Sequence, residues 1–300
     1  MRKLIRVSRS CWLAGLILSG LASLVGCGDL VTGDSESGRK NYAVIVGISS
    51  YQSQSLNLKW ADEDALDVYD TLRRGKNWET DKITLLTNAA ATRDGIKSAI
   101  AGLAKRVGAD DQVVFYFSGR GSYSPDQPPF DEGDGLDEFL VPYDALPNSP
   151  AQDLSDDELE ALFSSLPTNN VLIVLDAGFA PRPGSPTGRE KNLVRAPAGA
   201  GAARTAASRL DGMGRELARP GYVLVTASLP GEAPTESNQL RNGVFTYFFT
   251  EGLRGAASGG RKNVSAQQAF EYAVLRATST AGQAPQMLDN RGKTYRVLSF

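Results

Sequence analysis

Five short apolar runs set what this chain can fold into: "YAVIVGI" (42–48), "KITLLT" (82–87), "DQVVFYF" (111–117), "VLIVLDA" (171–177) and "GYVLVTAS" (221–228). Each is strand-length, and apolar without strict alternation, which suits strands covered on both faces. Stretches with helical spacing lie among and after them. Trp60 or Ala61, Ala65, Val68 and Leu72 share one helix face, with Asp62, Glu63 and Asp64 near the start, where the helix dipole favours acids. Residues 92–106 repeat the pattern through Ile96, Ile100, Leu103 and Val107. Ser155 with Glu158, and Ser265 with Gln268, read as capping boxes opening later helices. "GVFTYFFTEGLRG" reads as a further helix and "TYRVLSF" as a final short strand. Strands alternating with helices predict an α/β fold: a mostly parallel central sheet of about six strands between helical layers. Functional groups in such folds gather beyond the carboxyl ends of the strands. Two of those ends lead into long polar loops, 118–142 and 178–219, the second rich in Gly, Ala, Pro and Arg.

The chain contains no histidine. This excludes histidine-based catalytic triads and histidine metal sites, and removes the usual neutral-pH proton shuttle. A net charge of −2 gives no reason to expect nucleic acid as a partner. The two cysteines, Cys11 and Cys27, both lie in the first 27 residues, so a disulfide framework is not expected.

Residues 1–10 carry four positive charges and no acid, and "CWLAGLILSGLASLVG" follows. A basic head, an apolar core and small residues before a cut are the layout of a secretory signal; the alternative, a single membrane anchor, has an apolar run that is short for a full span. Leu24-Val25-Gly26-Cys27 resembles the lipobox of bacterial lipoproteins. That resemblance implies a signal peptide over 1–26, lipid on Cys27 and a polar tether over 27–40. It places the protein in a bacterial cell envelope, held by acyl chains. By the same resemblance, Gly28 after the cysteine implies onward transport to an outer membrane in a host that has one. Removing 1–26 takes the net charge from −2 to −6.

The remaining residues, 41–300, carry a series of segments in a fixed order. "YAVIVGISSY", "ADEDALDVYDTL", "FYFSGRGS", "DGLDEFLVPYD", "VLIVLDAGFA", "VLVTASLPGEAPTES", "NGVFTYFFTEGL" and "QAPQM" together resemble the caspase-like cysteine peptidases, peptidase family C14, and most closely their metacaspase-like bacterial branch. The resemblance implies a caspase-like three-layer sandwich. It also implies where the dyad should stand: the histidine falls on Arg120 and the nucleophilic cysteine on Gly178. Arginine stays protonated and glycine has no side chain, so neither can do the work of the residue it replaces. Ser118, Ser122 and Ser124 lie in the first loop, but a serine nucleophile still needs a base, and no lysine sits in either strand-end motif. The resemblance makes Asp176 part of an acidic pocket for a substrate Arg or Lys. Three arrangements stay open: Arg120 pairs with Asp176, the pocket is open to basic peptides, or neither holds.

Asp131, Glu132, Asp134, Asp137 and Glu138 form an acidic cluster. Some metacaspases depend on Ca²⁺, but "DEGDGLDE" lacks EF-hand spacing and reads as solvated loop charge. No other cofactor is expected. The expectation is a catalytically inactive caspase-like module, tethered to the envelope and binding an unknown protein or basic peptide. The alternatives are an active endopeptidase cleaving after Arg or Lys, and an unrecognised activity on the same fold. Oligomeric state is open.

Overall fold

Alternate residues of each apolar run face opposite sides of one sheet, and both sides are covered. The computed structural model describes residues 38–125, 136–179, 191–193, 213, 217–229 and 232–300. The signal, Cys27 and residues 28–37 of the tether lie outside the described residues. In chain order the elements are β1 (Asn41–Gly47), α1 (Ala61–Leu72), β2 (Ile83–Thr87), α2 (Arg93–Leu103), β3 (Gln112–Ser118), β4 (Gly121–Pro125), β5 (Leu136–Leu140), β6 (Leu154–Ser155), α3 (Asp156–Ser164), β7 (Val171–Asp176), β8 (Asn192–Leu193), β9 (Tyr222–Thr226), β10 (Glu236–Ser237), β11 (Asn242–Gly243), α4 (Val244–Glu251), β12 (Asn263–Ser265), α5 (Ala266–Ala281), β13 (Gln286–Asp289) and β14 (Arg296–Ser299).

Among the described residues, six strands form the central sheet in the order β13-β9-β7-β3-β1-β2. All neighbours are parallel except β13, which runs antiparallel to β9. Val44, Val46, Val113, Phe115, Phe117, Ile173 and Leu175 pack on one side with Ile96, Ile100 and Leu103 of α2 and Leu159 and Phe163 of α3. Ala43, Ile45, Val114, Tyr116, Leu172 and Val174 pack on the other with Ala65 and Val68 of α1, Phe245 and Phe249 of α4, and Ala269 and Ala273 of α5. This period-two division matters for the site. Ser118 and Asp176 continue the second set at the ends of β3 and β7, where they are register partners. Their side chains therefore belong to the α1/α4 side.

Three sequence expectations change. Residues 118–142 are not a plain loop. β4 and β5 pair as an antiparallel hairpin, extended by β6 and β8 into a small four-stranded sheet. "GSYSP" carries too few apolar residues to announce a strand. The final strand exists, but β14 pairs with β12 in a separate ribbon. The sixth strand of the main sheet is β13, a four-residue run whose apolar signal is only Met287 and Leu288. The two capping boxes also differ. Ser265 and Gln268 bond reciprocally. Ser155 caps α3 by accepting from Glu158 N, but the Glu158 carboxylate turns away to Arg93 and Lys97.

Candidate functional site: an acidic pocket filled by its own lysine

Asp176 ends β7, Ser118 ends β3, and Asp64 stands in the first turn of α1; all three are fully buried. The cation that meets them is Lys191, also fully buried, from the residue just before β8. Its Nζ lies 2.7 Å from Asp64 Oδ2 and 3.0 Å from Asp176 Oδ1, and donates to Ser118 Oγ at 2.8 Å.

Asp64 is held from four directions. Its Oδ2 accepts from Ser118 Oγ and Lys191 Nζ, and its Oδ1 accepts from Gly243 N at 2.7 Å and Asn242 Nδ2 at 3.1 Å. Asp176 Oδ2 accepts from Thr246 Oγ1 at 2.6 Å. That uses the single hydroxyl proton of Thr246, so Tyr116 Oη donates to Thr246 across their 2.6 Å contact. Asp176 Oδ1 accepts no hydrogen bond among the described residues; it faces the ammonium at 3.0 Å as an ion pair alone.

Two carboxylates sharing one ammonium leave one net negative charge out of water. Burial pushes Asp64 up to about 6; Lys191 opposes this and Asp176 adds to it. Burial alone would lower Lys191, but Asp176 and Asp64 outweigh it and hold the ammonium above its usual range. The two shifts agree physically. A proton added to Asp64 leaves a neutral Lys191–Asp176 pair, whereas a proton lost from Lys191 strands two charges.

This closes one chemical possibility. Ser118 and Lys191 stand at hydrogen-bond distance, as a serine nucleophile and a lysine base would. The lysine is an ammonium that donates to Ser118 Oγ, and the serine proton is committed to Asp64. Lys191, as an ammonium, cannot act as the base for Ser118. Ser122 donates to Asp153 Oδ2 at 2.8 Å, and Ser124 lies near the described edge of the hairpin with its hydroxyl on the Pro125 carbonyl.

Arg120 occupies a different place from the pocket. Its N–H donates to Tyr51 Oη, its Nε to the Leu56 carbonyl at 2.6 Å and its Nη2 to the Asn57 carbonyl at 3.2 Å. Its carbonyl accepts from Val141 N. The ion-pair partner of Asp176 is Lys191. Gly178 N donates to the Lys191 carbonyl. Gly121 must be glycine, because a Cβ there would collide with the Gly178 carbonyl and the Phe179 ring. Gly243 is equally constrained: a Cβ would sit 2.5 Å from both Asp176 Oδ2 and Lys191 Nζ.

Sequence reasoning found Asp176 and missed Asp64, Lys191, Thr246 and Gly243. Asp64 carried a readable signal, since it shares the buried face with Ala61, Ala65 and Val68. Lys191 carried none. Of the acidic cluster, Asp131, Glu132 and Asp134 lie outside the described residues, while Asp137 and Glu138 fall on β5 with Glu138 fully buried. Among the described residues no group of three or more acids, cysteines or histidines is placed to hold a metal ion.

The sheet order and the strand-end pocket define a caspase-like α/β domain. Residues 40–293 match the caspase domain of peptidase family C14, and the chain belongs to that family. It is 35% identical to metacaspase-3 of Arabidopsis thaliana over 111 residues, which is 35% of this chain and 30% of that protein. It is 34% identical to metacaspase-1 of Candida albicans over 118 residues, 36% of this chain and 26% of that protein. The match thus spans less than a third of either relative. Among solved structures, a protein of Geobacter sulfurreducens aligns with a TM-score of 0.60 at 21% identity, over 85% of this chain and 94% of its own. Caspase-1 of Spodoptera frugiperda aligns with a TM-score of 0.51 at 14% identity, over 87% and 90%. These two share the fold.

Proposed function

We propose that this chain is a caspase-like domain without peptidase chemistry, tethered to a bacterial envelope through lipid on Cys27, whose acidic pocket reads a basic side chain. One observation carries the reading. The pocket carboxylates Asp64 and Asp176 are buried around an ammonium, while the strand-end positions beside them hold Arg120 and Gly178. A pocket that selects a lysine or arginine is thus kept, and the groups that would attack the adjoining carbonyl are not. Loss of imidazole and thiolate removes both proton transfer and nucleophile.

The test is turnover. The full chain is incubated with fluorogenic peptides ending in Arg, Lys or Asp, with and without Ca²⁺. No release above buffer is expected. Release by the native chain that survives contaminant controls overturns the reading in favour of an endopeptidase. The tether is tested separately: labelled palmitate should enter the native chain in a bacterial host and not the Cys27→Ala variant.

A further inference from the structure

The two ends of the central sheet differ in charge. At the carboxyl ends of the parallel strands, α1, α2 and α3 open with acids in their first turns: Asp62, Glu63 and Asp64, then Asp94, then Asp156, Asp157 and Glu158. At the opposite end the exposed residues include Lys40, Lys76, Lys105, Arg106, Arg261 and Lys262. A run of contacts joins them. The Arg106 guanidinium lies 5.4 Å from the centre of the Tyr42 ring, and Asn41, next to Lys40, donates to the Asn77 carbonyl. Lys76 N donates to the Ser299 carbonyl, and Phe300 N to the Lys262 carbonyl.

Among the described residues none of these six cations is ion-paired, because the acids beside them are engaged elsewhere. Asp70 pairs with Arg73 and Arg74, and Glu79 and Asp81 with Lys82. Asp111 accepts from the N–H groups of Lys40 and Gly108. Asp110 is exposed beside them. The helix dipole accounts for Lys105 and Arg106, which follow α2. It does not account for Lys40, Lys76, Arg261 or Lys262, which lie in no last helical turn. Phe300, 42% exposed, adds an apolar group to this end. The tether also arrives here: residues 28–37 lead into Gly38, two residues before Lys40. Even fully extended, that stretch keeps Gly38 within about 40 Å of Cys27.

We propose that this basic end is a docking face for an anionic lipid surface, on which the protein stands with its acidic pocket turned to the aqueous side. The inference rests on the envelope tether proposed above and adds the orientation. With residues 1–26 removed the net charge is −6. The distribution of charge, and not its sum, therefore supplies the attraction. Phe300 supplies an apolar contact at headgroup level.

The chain carries its own reporters. Trp78 lies at the basic end, donating to the Val297 carbonyl, and Trp60 lies at the pocket end, its N–H on Glu236. α1, about 18 Å long, separates them. A full-length Trp12→Phe/Trp60→Phe chain emits from Trp78 alone, and subtracting it from Trp12→Phe gives Trp60. Each is mixed with phosphatidylcholine vesicles containing a dansyl-headgroup lipid, with or without phosphatidylglycerol. With phosphatidylglycerol, energy transfer from Trp78 should exceed that from Trp60. The excess should be lost without that lipid, and lost in 1 M NaCl, where the screening length falls to about 3 Å. Each Lys or Arg near an anionic surface is worth roughly fivefold in adsorption, so Lys40→Glu/Lys76→Glu/Lys262→Glu should also remove it. Equal transfer from both tryptophans, or an excess from Trp60, overturns the proposal. So does an excess that survives the three reversals. If those reversals abolish binding of a labelled DNA duplex but leave the vesicle result unchanged, the face belongs to nucleic acid and the proposal falls. Palmitate labelling decides the tether separately. An unlabelled chain that keeps the Trp78 excess fells the tether and leaves the face; a labelled chain without the excess does the reverse.

Discussion

Two charged clusters in this molecule each hold three members and behave as opposites. In the pocket, Asp64 and Asp176 share Lys191, all with no exposed side-chain surface. Between α2 and α3, Glu158 is shared by Arg93 and Lys97, with side chains 26–34% exposed. Water can replace a lost partner in the second cluster. In the first it cannot, so each member is held in place by the cost of leaving the others unpaired. The same contact distance therefore carries different energetic weight.

The largest effect should come from Lys191→Ala, which strands two buried carboxylates at a cost of about 3–5 kcal/mol. Denaturant unfolding at neutral pH measures it; a loss as small as that of a surface pair would erase the contrast. Gly243→Ala comes next. Its Cβ would meet Asp176 Oδ2 and Lys191 Nζ at 2.5 Å, and overpacking of this kind costs about 1–3 kcal/mol. Glu158→Ala should be the smallest, about 0–1 kcal/mol, because its partners are solvated.

Acidity should separate the clusters by sign. Asp64 is raised from 3.8 to about 6 by burial. Its contribution is fully present below 3.8 and is lost as pH rises through about 6. Glu158 is pushed up by partial burial, but hydrogen bonds from Lys97 and Arg93 outweigh this and leave it below its ordinary 4.5. Its contribution is present above 4.5 and is lost as pH falls through its lowered value. Unfolding free energies followed from pH 7 to pH 4 should show a rising term on acidification that Asp64→Asn removes. A native profile unchanged by Asp64→Asn would break the comparison.

The sheet was legible because its information is local. The run 42–48 is apolar at both parities, and both faces of β1 are indeed covered. The hairpin β4–β5 was not legible, since Ser122 and Ser124 hide a strand that is held by pairing. Within the pocket the same division holds. Asp176 was reached through the family's motif, and Asp64 sits at a helical spacing where a carboxylate on an apolar face is out of place. Lys191 was beyond reach. Its position depends on backbone bonds to Pro234, Gly121 and Gly178, far apart in sequence, and nothing adjacent to it in "REKNLV" marks it as buried. The question first posed by Arg120, whether it fills the acidic pocket, is answered by a residue 71 positions further along the chain.

The most direct measurement of this account is the ¹⁵Nζ spectrum of the full chain grown with Nζ-labelled lysine, recorded from pH 6 to pH 11, with Lys191→Ala supplying the assignment. The account predicts one ammonium resonance protected from exchange, absent in Lys191→Ala and still charged above the ordinary lysine value of 10.5. Its contribution to stability is accordingly full below 10.5 and lost only at higher pH. A spectrum in which every lysine exchanges and titrates as a solvated side chain would contradict the pocket itself.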